Sequence, residues 1–186
     1  MSSDLEDLAQ GIADQAESFL LALREIARSE ERGTVVPLLL LEVSQLLLAG
    51  ARLGVQIDFV PDEQYEPDAG PDPDLDQLRD RLAELLEGVD EYTEVFDPYD
   101  PSELVTSRLS DDLAGVAANI AHGLQHFRAG STYEALWWWQ FSYVSSWGAE
   151  ASAALRALQS VISHDRLDVS EIGPTEAGRL AAAQEL

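Results

Sequence analysis

The chain has 186 residues, a length that favours a single domain. Its 35 acidic residues face only 11 basic ones, all arginine, and a formal charge of −24 repels phosphate backbones, which argues against direct nucleic-acid binding. Lysine and cysteine are both absent, so disulfides, thiolate ligands and nucleophiles, Schiff bases, Ser-Lys dyads and Walker A loops are excluded.

The first predicted helix runs from Asp4 to Glu30. Ser3 and Glu6 have capping-box spacing, Leu5, Leu8, Ile12, Phe19, Leu23 and Ile26 form the apolar stripe, and Gly33 closes it. The N-terminal stretch is acidic rather than signal-like. The second helix runs from Val35 to Leu53, with Thr34 as N-cap and Pro37 in its first turn. Its leucines leave almost no polar face, which predicts a central helix buried on all sides. The apolar run from Val35 to Leu48 is too short and too polar for a membrane span, so a soluble, cytoplasmic protein is expected, with no membrane partner.

Gly54 to Pro73 reads as a long acidic loop rich in Pro and Gly, held by Val55, Ile57, Phe59 and Val60. Between residues 58 and 103 there are 17 acids and only Arg79 and Arg81 as bases. The carboxylates Asp62, Glu63, Glu66, Asp68, Asp72, Asp74 and Asp76 lack EF-hand spacing and read as a solvated cluster with a helix-start role. A third helix is predicted from Asp72-Pro73, with Leu75, Leu78, Leu82, Leu85, Val89 and Phe96 inward. A fourth is predicted from Asp100-Pro101-Ser102-Glu103 to Gly130, on a stripe of Leu109, Leu113, Val116, Ile120, Leu124 and Phe127. His122 and His126 stand at i and i+4, roughly opposite that stripe, the spacing that two metal ligands need; two solvated histidines give the same pattern.

The fifth helix is predicted from the capping box Ser131…Glu134 to Ser163 as a continuous rod. Trp137, Phe141, Val144, Gly148, Ala151, Leu155, Leu158 and Ile162 form a seven-residue seam. Trp138, Trp139 and Trp147 lie off the seam, Trp138 beside Ser142, Ser145 and Arg156, and Trp139 beside Tyr143 and Glu150. Residues 1–164 thus read as one domain and 165–186 as a partly flexible tail containing Gly173-Pro174.

The pattern Leu136-Trp137-x-Trp139-x-Phe141, then Trp147-Gly148 and Ala154-Leu155-Arg156-Ala157-Leu158, resembles the closing helix of the family catalogued as domain of unknown function 5063. Pro37 to Gly54, Pro61-Asp62-Glu63 through Gly70-Pro71-Asp72-Pro73, and His122-Gly123-Leu124 carry the resemblance further, over roughly Ser18 to His164. It implies an all-helical fold and an actinobacterial cytoplasm, and supplies no catalytic residues.

The expected architecture is all-α, a single bundle of about five helices with the second and fifth central and a long acidic loop. The leading functional expectation is a non-enzymatic interaction or regulatory protein that binds a basic protein partner, with a homodimer as a further expectation and no cofactor. Trp137, Trp138, Trp139, Trp147, Tyr143 and Arg156 are the candidate partner- or ligand-binding residues. Two alternatives stand beside it: a metal- or small-molecule-dependent bundle enzyme using His122 and His126, and a ligand-binding protein with an aromatic pocket.

Overall fold

The computed structural model describes residues 3–61 and 66–167. Asp62 and Glu63 of the acidic cluster, and the predicted tail from Asp168 onward, lie outside the described residues. In chain order the elements are α1 (Ser3–Arg28), α2 (Arg32–Gly54), α3 (Asp76–Leu85), β1 (Glu91–Asp97), β2 (Asp100–Arg108), α4 (Leu109–Arg128), α5 (Thr132–Ser142), a π-helical turn (Tyr143–Trp147) and α6 (Gly148–Leu167). The last three form one unbroken rod, so the chain is the expected helical bundle of five helices around one core, with a two-stranded hairpin added.

The helix inside the bundle is α4. It packs against α1, α3, α5 and α6, burying Leu109, Leu113, Val116, Ile120 and Leu124 as its stripe predicts. The second helix is not the buried centre that its composition suggests. α2 buries Val35, Leu39, Val43, Leu46, Ala49 and Leu53, yet leaves Leu38 and Leu41 exposed and Leu48 68% exposed. By length and composition alone α2 could cross a membrane; here it packs against α1, α5 and α6. It also starts earlier than read, at Arg32, so Gly33 lies inside its first turn instead of closing α1.

Residues 89–108 overturn the predicted ends of the third and fourth helices. α3 spans only Asp76–Leu85, and a left-handed Gly88 (φ 91°) turns the chain out of it. The sequence Tyr92-Thr93-Glu94-Val95 then follows β preference, pairing antiparallel with β2 in the register Tyr92↔Ser107, Glu94↔Val105. Asp90 closes the excursion. Its carboxylate accepts Ser110 N at 2.8 Å and Ser110 Oγ at 2.9 Å, and its carbonyl accepts Leu109 N at 2.8 Å. A side chain from before the hairpin therefore caps the first turn of α4, which begins at Leu109 rather than near Asp100.

The rod is continuous, but its seam is shifted. The π turn inserts one extra residue, so the buried face runs through Leu136, Trp139, Trp147, Ala151, Ala154 and Leu158. Phe141 and Val144, predicted on the seam, are 52% and 76% exposed. Among the described residues of the loop after α2 only Phe59 is buried; Val55, Ile57 and Val60 are exposed. Further on, Glu66, Pro71 and Asp72 of the acidic loop lie against α4.

Candidate metal centre

His122 and His126 are one turn apart on α4, facing the returning loop. Three contacts fasten that loop to the helix. Gln125 Nε2 donates to Pro71 O at 2.9 Å, Asp72 Oδ1 lies 2.8 Å from His122 Nδ1, and Glu66 Oε1 lies 2.5 Å from His122 Nε2 and 2.7 Å from His126 Nε2. The two Nε2 atoms are 3.3 Å apart. The loop covers what sequence alone read as a solvated face: His126 is 1% exposed.

The hydrogen bonding fixes most of the proton placement. An ionised Asp72 only accepts, so His122 Nδ1 carries hydrogen and its Nε2 either donates to Glu66 or presents a lone pair. A carboxylate on the far nitrogen of an imidazole whose near nitrogen faces other ligands is how metal-bound histidines are held in one tautomer. Burial alone would lower the His122 pKa, but hydrogen bonds and charge from Glu66 and Asp72 outweigh it and leave it raised. Burial pushes Glu66 up, and the two histidines overcome that and hold it below the usual carboxylate value. His126 Nδ1 is buried with no hydrogen-bond partner among the described residues.

Glu66 Oε1, His122 Nε2 and His126 Nε2 all lie within 4.8 Å of one another. Two metal–nitrogen bonds of about 2.05 Å at a tetrahedral angle put their nitrogens roughly 3.3 Å apart, which is the spacing found here. The Glu66 contacts are at hydrogen-bond length, so ligation requires this loop side chain to withdraw by less than about 1 Å. Two imidazoles and a carboxylate suit zinc, iron(II) or manganese better than calcium or magnesium, which prefer all-oxygen shells. Trp138 forms one wall. Its ring sits 4.3 Å from that of His122, and its Nε1 donates to Asn119 O at 3.0 Å.

The remaining predicted residues divide between core and surface. Trp139 and Trp147 are wholly buried core residues. Trp139 Nε1 donates to Ile120 O at 3.1 Å, and its ring lies so close to α4 that a Cβ at Gly123 would come within 2.2 Å of it. Tyr143 fills the notch over Gly50 and Gly54. These rings are closely packed among the described residues. Trp137 is half-buried and stacked on Phe141, and Arg156 is exposed on α6, away from the histidines. Sequence reasoning missed the pairing of Glu66 and Asp72 with the histidines, because both were absorbed into a seven-carboxylate cluster.

A profile for a domain of unknown function, DUF5063, matches residues 3–164. The crystal structure of protein BF1032 from Bacteroides fragilis is similar in fold, with a TM-score of 0.64 and 23% identity, covering 81% of this chain and 89% of that one. No curated protein matches the sequence.

Proposed function

The chain belongs to the DUF5063 family, which brings a fold but no assigned activity, and we propose from its own side chains that it binds one divalent transition metal through Glu66, His122 and His126. The observation that carries this reading is the convergence of two imidazole nitrogens and one carboxylate oxygen from elements 56 and 60 residues apart in sequence. Three protein ligands leave coordination positions open, the arrangement in which a metal activates water or polarises a bound group. Asp72 orients His122, and Trp138 shields one side of it. This favours the metal-dependent bundle protein over the purely non-enzymatic one.

Titration of the metal-free protein with zinc, iron(II) and manganese, followed calorimetrically and by elemental analysis, tests it. One equivalent should bind, and Glu66→Gln, a loop change that leaves the helices untouched, should weaken binding by about 10-fold or more. His126→Ala should abolish it. Absence of stoichiometric uptake, or uptake indifferent to both changes, overturns the reading. A second reading, engagement of a basic protein partner, is supported by a different surface, the open side of β1.

A further inference from the structure

β1 is paired with β2 along one side only. Along its other side runs a groove of about 880 Å³, closed at the far wall by α6. Five consecutive residues, Glu91 through Val95, line it, and among the described residues none of β2 does. A strand that contributes consecutive residues presents its edge, not one face. Among the described residues, the β1 backbone has no hydrogen-bonded neighbour on that side. Such an edge is a template for one more strand. The opposite wall is kept low by small side chains on one face of α6, among them Ala153, Ala157 and Ser160, leaving room for an extended chain that needs about 4.8 Å from its neighbour.

The charge of the edge selects what lies there. Glu91 and Glu94 line the strand side of the groove. Behind the strand, Tyr92 donates to Asp112 at 2.6 Å, and Glu94 and Glu150 bear on Asp112 electrostatically. Among the described residues no arginine or histidine nitrogen lies within 4.0 Å of Glu94, Asp112 or Glu150, and Glu150 Oε2 is buried without a hydrogen-bond partner. The groove's one arginine, Arg156, is on the helix wall together with His164. A third strand bearing positive side chains would supply the missing countercharge in a protein of net charge −24.

We propose that the open edge of β1 docks an extended lysine- or arginine-bearing segment of a partner protein, which adds as a third strand and rests on Ala153 and Ala157. It rests on the basic-partner reading and is independent of the metal. Main-chain hydrogen bonds supply affinity, and the acidic edge selects the sign of the side chains.

A fluorescent ten-residue peptide of alternating lysine and valine, titrated into the full chain in 0.15 M salt, is the probe. Binding should weaken at least tenfold when alternate peptide nitrogens are methylated, and by as much when Ala153→Trp fills the groove. The N-methylated peptide acts on the unaltered protein, so it decides the matter even if the tryptophan variant misfolds. Binding indifferent to both changes would mean a polycation held anywhere on the acidic surface: the groove would be refuted and the basic-partner reading kept. No binding at any ionic strength removes both. Self-association of the protein abolished by Ala153→Trp would show the groove filled by a second copy, which also overturns the proposal.

Discussion

Gln140 holds Phe59 in place: its Oε1 accepts the Phe59 N–H at 2.8 Å while its Nε2 donates to Leu53 O at 3.1 Å. The side chain on α5 thus ties the end of α2 to the start of the acidic loop. The Phe59 ring packs edge-on to Tyr133, 5.7 Å between centroids. Gln140→Leu roughly keeps the volume but leaves the buried Phe59 N–H unpaired, at a cost of about 1–3 kcal/mol, while Leu53 O keeps its bond from Gln56 N. Urea unfolding should show a loss of roughly 1–3 kcal/mol, and metal affinity should fall with it because Glu66 belongs to the same loop. A variant as stable as the parent would mean that water replaces Gln140 and the anchor is unimportant.

Asp90 performs the corresponding task for the hairpin. Besides Ser110 it receives Arg108 Nε and Nη2, both at 3.0 Å, so a largely buried carboxylate is satisfied by one helix start and one guanidinium. Asp90→Ala should cost about 2–4 kcal/mol, the range for losing charge-assisted bonds and stranding a helix N-terminus. Asp90→Asn, which retains one acceptor oxygen but not the charge, should lose about half as much. Equal losses in equilibrium unfolding would assign the whole effect to charge and none to capping.

The bundle was legible because Leu, Ile and Val recur at helical spacing along α1 and α4, and because Gly130 and Ser131 mark the entry to the rod. The hairpin was not, since Leu85, Val89 and Phe96 happen to extend the spacing of α3, and this pattern masked the β-branched and aromatic run Tyr92-Thr93-Glu94-Val95. The π turn leaves no compositional trace in a stretch that is apolar on most sides, so the predicted seam fails at Phe141 and Val144 and holds again only after the turn, at Gly148, Ala151 and Leu158. The all-apolar face of α2 overstated burial, because leucine tolerates exposure at Leu48 as composition cannot reveal. At the candidate metal centre the i, i+4 histidines were visible, whereas the choice of Glu66 among seven carboxylates rests on contacts between residues that lie 56 and 60 apart in sequence.

Asp112 gives a pH dependence of defined sign. Burial, together with Glu94, Glu150 and Asp111, holds its pKa at about 6 against its Tyr92 hydrogen bond, above the usual 3.8. Between these values the folded state binds the proton more tightly than the unfolded chain, so the stabilisation present at low pH is lost as pH rises through about 6. Asp112→Asn keeps an acceptor for the Tyr92 hydroxyl and removes the charge. At pH 8 it should be more stable than the parent by about 1 kcal/mol, a figure already reduced for solvent screening, with the gap closing below pH 4. Unfolding midpoints of both proteins across pH 4–8 check this; a variant less stable at pH 8 would show that Asp112 is stabilised as the anion.

Gly148 carries the phase of the rod. It is the first residue after the π turn, and a Cβ there would lie 2.3 Å from the Tyr143 carbonyl oxygen and 2.9 Å from the Tyr143 ring. Backbone cannot yield as a side-chain tip can, so Gly148→Ala must either open the turn or return it to α-helical pitch. The second course rotates α6 by one residue, about 100°, and takes Ala151, Ala154 and Leu158 out of register with the core. Its cost should exceed about 3 kcal/mol, and the tryptophan emission should shift to the red as Trp147 loses its cover. Gly33→Ala is the control. Nothing lies within 4 Å of its Cβ in the first turn of α2, so it should gain about 0.5–1 kcal/mol from helix propensity. Opposite signs for the two glycines in thermal unfolding are the expected result. A neutral Gly148→Ala would mean that the π turn relaxes without cost and that the tryptophan packing does not depend on it.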